Sequence, residues 1–196
     1  TPKQREQLLE FCQRAAGWYL GNQNTDAHPW GGMKGSADLG RYLYQYSPVN
    51  GECRGNGVWG QGVAIMGLLP LARRLDWKGD PCRESALAAA RYLMSLQILD
   101  QRDERLFGAL RERDPQADWI YPRDGATGAM AFCVLYRETG DEEYLYRARL
   151  FGDWFIRNAL SPEGWPCLTY RFPTREALHD QPGGGIWQAG AGLLFY

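Results

Sequence analysis

The chain lacks almost everything that would announce a metal site, a disulfide scaffold or a membrane anchor. Its two histidines, His28 and His179, lie far apart, and its five cysteines, Cys12, Cys53, Cys82, Cys133 and Cys167, are scattered with no C-x-x-C pair. An odd, unpatterned set argues against a disulfide framework and against zinc, so the cysteines are expected as small core residues in a reducing, cytoplasmic setting. The longest apolar run, Val63 to Ala72, contains Pro70 and falls far short of the roughly 20 residues a membrane span needs. Charge of one sign is also missing. The formal net charge is -1 with both signs interspersed, which leaves no basic stripe for a phosphate backbone and no basic amphipathic segment for a lipid surface. Neither nucleic acid nor membrane is an expected partner. The absence of G-x-S-x-G, of a P-loop and of G-x-G-x-x-G in a strand-turn-helix context removes the α/β-hydrolase, nucleotide and dinucleotide readings. No cofactor or metal is expected.

Aromatics and glycine are abundant instead: eight Trp, eleven Tyr and 24 Gly in 196 residues. At 44% hydrophobic the chain can bury a core as one domain, 1-196. Three times an amphipathic helical segment is followed by a long Trp/Gly-rich loop and then by a small-residue, all-apolar helical segment. The first members align as Ala16-Gly17-Trp18-Tyr19-Leu20, Ala90-Arg91-Tyr92-Leu93-Met94 and Gly152-Asp153-Trp154-Phe155-Ile156, with Gln23 and Gln97 after the first two. The second members are Val63 to Leu69, Gly128 to Val134 and Ala189 to Leu194. A layer of polar-faced helices around a layer of apolar ones predicts an all-α fold, an α/α toroid of which about three hairpins are present. Such a sector would be part of an (α/α)6 barrel. The last segment, from about Gly184, stops at Tyr196, so the chain is expected to be a piece of a longer protein or to associate with a second copy.

Periodicity and caps place helices over Gln4–Gln23, Gly57–Leu75, Asp80–Leu99, Asp124–Gly140 and Asp141–Leu160. One helical turn is expected near Asp38 to Tyr44 and a short strand at Leu106 to Leu110. The three loops fall at the same end of the hairpins, where a toroid has the mouth of its cavity. Inner-helix N-termini with unpaired N–H groups and loop aromatics suit a polyhydroxylated or anionic ligand. Trp30, Trp59, Trp119, Trp165 and Trp187, with Tyr121, are therefore candidate sugar platforms.

Asp124 follows Tyr121-Pro122-Arg123 and opens an inner helix, which makes it the candidate catalytic carboxylate as well as a candidate N-cap. Asp38, Asp118 and Asp180 are further carboxylates that sequence alone cannot pair with it. Arg54 sits among glycines that allow close backbone approach, and Arg123 adjoins Asp124; either can fork onto a carboxylate. His28, beside Trp30, is the better placed histidine for a sugar hydrogen bond.

These residues resemble a family. Arg54-Gly55-Asn56-Gly57-Val58-Trp59 followed by Val63 to Leu68 is similar to the Arg-Gly-Asn-Gly-Trp motif of the unsaturated glucuronyl and rhamnogalacturonyl hydrolases, six-hairpin enzymes of glycoside hydrolase families 88 and 105, with Val58 inserted before Trp59. Asp124 to Phe132 is similar to the start of a later inner helix, and His179-Asp180-Gln181-Pro182-Gly183-Gly184-Gly185 with Gly192-Leu193-Leu194 resembles the final hairpin. The resemblance covers the C-terminal half of such an enzyme. It implies hydration of the C4=C5 bond of an unsaturated uronic sugar. It also implies that Arg54, Trp59 and His28 form a supporting wall, with Asp124 lining the pocket, while the principal catalytic Asp lies on an earlier hairpin outside this chain. The expected function is thus a glycosidase acting on uronate-containing oligosaccharides by acid/base catalysis. The alternatives are a sugar epimerase of the N-acylglucosamine 2-epimerase type, which needs more cavity histidines, and a non-catalytic sugar-binding toroid module.

Overall fold

A computed structural model describes residues 1–27, 38–51, 53–75 and 79–179. Five α-helices carry the fold: α1 (Pro2–Gly21), α2 (Val58–Ala72), α3 (Pro81–Ser95), α4 (Pro122–Thr139) and α5 (Glu142–Asn158). Their ends follow local chemistry. Thr1 and Gln4 form a reciprocal capping box on α1, Asp80 accepts from the Arg83 N–H at 3.0 Å, and Asp141 accepts from the Glu143 N–H at 3.0 Å. Gly140 closes α4 in the left-handed region at φ 73°, which costs a glycine little. The Glu143–Arg147 pair forms at i,i+4 on α5 as its spacing predicts.

The helices form two layers. α2 and α4 lie side by side, α3 packs on α2 and α5 on α4, and α1 touches α2 and α3. Small residues set the α2–α4 distance: a side chain at Gly62 would come within 2.8 Å of the Thr127 carbonyl, and one at Gly128 within 2.7 Å of Val58. α2 is not buried on nearly all sides as its apolar sequence suggests: Trp59, Val63, Gly67 and Pro70 form an exposed stripe along it, opposite Val58, Ala64, Ile65, Leu68 and Leu69. α3 and α5 bury one face, through Ala86, Ala89, Tyr92 and Leu93 and through Ala148, Phe151, Trp154 and Phe155.

The fold is mostly helical rather than wholly so. Strands β1 (Leu43–Tyr46) and β2 (Cys53–Gly55) form one antiparallel pair, and β3 (Trp119–Ile120), β4 (Thr169–Arg171) and β5 (Glu176–Leu178) form an antiparallel sheet in that order. Two local expectations fail here. Asp38 to Gly40 is a turn leading into β1 rather than a helical turn, and Leu106 to Leu110 is a turn with a single bridge from Leu110 to Gln97. In both places a positive-φ glycine, Gly40 at 86° and Gly108 at 96°, turns the chain.

Those two glycines belong to an internal repeat written in hydrogen bonds. Gln23 donates to the carbonyls of Gly40 and Ser85, both at 2.9 Å, and Gln97 donates to those of Gly108 and Arg147, both at 3.0 Å. The backbone echoes it: Asn24 N–H to Arg41 O, Gly40 N–H to Asn24 O and Leu43 N–H to Asn22 O match Ile98 to Ala109, Gly108 to Ile98 and Arg111 to Leu96. A Cβ on Gly40 would run into the Ala88 carbonyl and one on Gly108 into that of Leu150, so each loop glycine presses on the next amphipathic helix. The repeats differ in one respect. Ser85 Oγ donates to Gln23 Oε1 at 2.8 Å, but its counterpart Arg147 turns to Glu143, leaving Gln97 Oε1 buried without a hydrogen-bond partner among the described residues.

The loops at the same ends of the hairpins are tied to each other. Arg41, nearly buried, donates to the carbonyls of Asn56, Gly55 and Arg113 and pairs with Asp38, and Tyr92 donates to the Arg113 carbonyl at 2.8 Å. Phe172 N–H donates to Asp118 O, and β3 pairs with β4. Trp154 donates its indole N–H to Arg105 O at 3.0 Å.

Candidate functional site

α4 begins one turn earlier than its acidic residue suggests. Its N-cap is Tyr121, in extended backbone with no side-chain cap bond, and Pro122 takes the first helical position. Asp124 is therefore not the cap but a residue of the first turn, where the helix dipole still favours a carboxylate. It is 6% exposed, and Arg123 Nε lies 2.5 Å from its Oδ1. The Arg123 guanidinium also sits over the Tyr121 ring, 5.6 Å from its centroid, and Tyr121 meets Trp119 edge to face at 4.7 Å. Four sequence candidates, Trp119, Tyr121, Arg123 and Asp124, thus form one cluster.

The residue that sequence reasoning missed is Glu112. It is 6% exposed and lies between the amino ends of α2 and α4. Its carbonyl accepts the Val58 N–H at 2.8 Å, serving α2 where Gly57 offers no side-chain cap, and its N–H donates to Trp119 O. Its carboxyl accepts the Tyr121 N–H at 3.0 Å and shares a hydrogen bond with Asp124. Burial, then the Asp124 charge and the bond to it, hold the Glu112 carboxyl far above the ordinary glutamate value, against the opposing pull of the Tyr121 N–H and Arg123. The shift favours the protonated form of Glu112. Its signal in the sequence was faint, a lone acidic residue in Arg-Glu-Arg, although the repeat places it just beyond the second glutamine-clamped turn.

The remaining candidates are distributed around this pair. Trp59 lies on the first turn of α2, next to Val58, and is 51% exposed; Arg54 lies on β2, paired with Gln45, and is also exposed. Both belong to the α2 side of the Glu112 junction. Trp165, 60% exposed, sits on a separate turn after α5 closed by Ser161 N–H to Trp165 O in reverse register. His28, Trp30 and Trp187 fall outside the described residues, as does the predicted last helix. Among the described residues no cluster of three His, Cys, Asp or Glu side chains is placed to hold a metal ion, and no helix is long and apolar enough to cross a membrane.

A groove of about 480 Å³ opens beside the cluster, lined by Asp118, Trp119, Tyr121, Thr169, Arg171 and Thr174 among others. Tyr121 belongs to both. The groove lining itself holds Trp119 and Tyr121 but not Glu112, Arg123 or Asp124, which lie behind Tyr121 with both carboxyl residues buried. No family model, no curated protein and no solved structure matches this chain.

Proposed function

We propose that the chain is a sector of an α/α toroid whose mouth lies at the amino ends of α2 and α4, and that it acts on uronate-containing oligosaccharides by acid/base catalysis. The observation that carries this is the hydrogen-bonded Glu112–Asp124 pair beside the Trp119–Tyr121 wall. The parallel setting of α2 and α4, with three loops tied over their amino ends, supports the toroid.

The pair also discriminates between mechanisms. Carboxyls that flank a glycosidic bond stand roughly 5–5.5 Å apart in retaining enzymes and roughly 6.5–9.5 Å apart in inverting ones. Two carboxyls joined by a hydrogen bond are closer than either and share a proton, as in dyads whose like charges cannot both ionise. That suits a reaction in which one locus both gives and takes a proton. Hydration of an unsaturated uronyl residue is such a reaction. A proton from the pair adds to C4, water oxygen bonds to C5, and the water proton returns to the pair. The C5 hemiketal then opens to a ketone as its C5–O5 bond breaks, and the hemiacetal left at C1 expels the neighbouring sugar. Arg123 balances the charge left when the pair is deprotonated, and Trp59 and Arg54 supply the wall on the α2 side. A second reading, sugar binding without turnover, is favoured by the burial of both carboxyls.

The deciding experiment follows the ultraviolet absorbance of an unsaturated uronyl disaccharide incubated with the chain and with Asp124→Asn. Loss of absorbance that Asp124→Asn abolishes upholds hydration. Binding of the disaccharide with stable absorbance leaves the binding module.

A further inference from the structure

The strand β3 and its neighbour β4 sort their side chains with period two. Ile120 and Tyr170, paired across the strands, are buried at 0% and 2%, while Trp119 and Arg171, paired next to them, face the groove together with Tyr121 and Thr169. The core therefore fixes one face of this sheet, and the other carries an aromatic pair, a guanidinium and a hydroxyl without contributing to the core. Arg171 makes no ion pair among the described residues, although Glu176 stands opposite it on β5. The groove volume of about 480 Å³ lies within the roughly 300–1,000 Å³ of small-ligand sites.

We propose that this groove is a binding site for one uronic acid residue of an oligosaccharide, its carboxylate on Arg171 and its apolar ring face on Trp119. The assignment rests on the uronate reading above and gives the substrate a place. A planar guanidinium forks onto a carboxylate, an indole covers the C–H face of a pyranose, and Thr169, Thr174 and Asp118 match hydroxyl groups, of which Asp118 accepts donors only. The mixed sign of Arg171 and Asp118 selects a singly charged, hydroxyl-rich residue over a densely anionic chain such as a sulfated one. Through Tyr121 the groove adjoins Arg123 and Asp124.

The test titrates the chain with a trimer of galacturonic acid and with its carboxyl-reduced counterpart, followed by tryptophan fluorescence and calorimetry. Expected is binding of the acidic trimer that weakens at least tenfold in Arg171→Ala, with the reduced trimer binding as weakly to the unaltered chain. Trp119→Phe retains binding but loses most of the fluorescence change. Equal affinity for both trimers, or an Arg171→Ala variant that folds and binds like the parent, overturns the assignment, as does the absence of binding. Turnover of unsaturated disaccharide is read in parallel: Arg171-dependent binding without turnover overturns only the hydration reading, and turnover indifferent to Arg171→Ala overturns only the groove.

Discussion

Glu112 and Asp124, each 6% exposed, meet in a hydrogen bond at the junction of two helix amino ends, and Arg123 closes on Asp124 from the solvent side. The raised Glu112 value makes folding take up a proton at pH values between the ordinary glutamate value of 4.5 and the raised one. The unfolded state then binds fewer protons than the folded state, so this group's contribution to stability falls as pH rises through that window. Between pH 5.5 and 6.5 the parent should lose up to about 1.4 kcal/mol that Glu112→Gln does not lose, a difference readable in urea midpoints. Parallel curves would mean that Glu112 is ionised in the folded chain.

The glutamine clamps are expected to be unequal. Gln23 makes three side-chain hydrogen bonds, to Gly40, Ser85 and the Ser85 hydroxyl, whereas Gln97 makes two and leaves an acceptor unmatched. Either alanine variant removes buried side-chain hydrogen bonds worth roughly 0.5–1.5 kcal/mol each. Gln23→Ala should lower the melting temperature more than Gln97→Ala, by roughly 4–10 °C against a smaller drop. The reverse order in calorimetry would show that the clamps are not the same device.

Three glycine-to-alanine changes should split by sign. Gly40 and Gly108 hold positive φ and press on helix carbonyls, so alanine there should destabilise by more than about 2 kcal/mol. Gly67, exposed within α2 with nothing within 4 Å of its would-be Cβ, should gain roughly 0.5–1 kcal/mol from helix propensity. Denaturant melts of the three single variants decide it.

Trp59→Ala and Arg54→Ala address the wall on the α2 side. Both side chains are exposed, so the melting temperature should move by less than about 2 °C, while loss of unsaturated uronyl absorbance should slow at least tenfold. A large melting shift with unchanged rate would make them structural.

The helices were legible because their signals are local: Asp80 with Pro81, Asp141 with Glu143, and Gly140 mark ends wherever the rest of the chain goes. The aromatic cluster was half legible, since Trp119, Tyr121, Arg123 and Asp124 are neighbours in sequence. What escaped depends on distant partners. β4 and β5 exist because Arg171 finds Trp119 and Glu176 finds Arg171, and Glu112 is notable only because Val58 and Tyr121 both hydrogen-bond to it. The start of α4 was misplaced for a related reason: Pro122 fits the first helical position better than Asp124 fits the cap.

The glutamine clamps also bear on the order in which the chain assembles. Gln23 must reach Ser85 across 62 residues, and Gln97 must reach Arg147 across 50, so neither clamp can close until the intervening helices have condensed. Once closed, each ties together the ends of a segment that contains an apolar helix, α2 in the first case and α4 in the second. The two clamps thus couple each hairpin to the next through contacts far apart in sequence, which raises the chain's contact order and slows its folding relative to a bundle of independent hairpins.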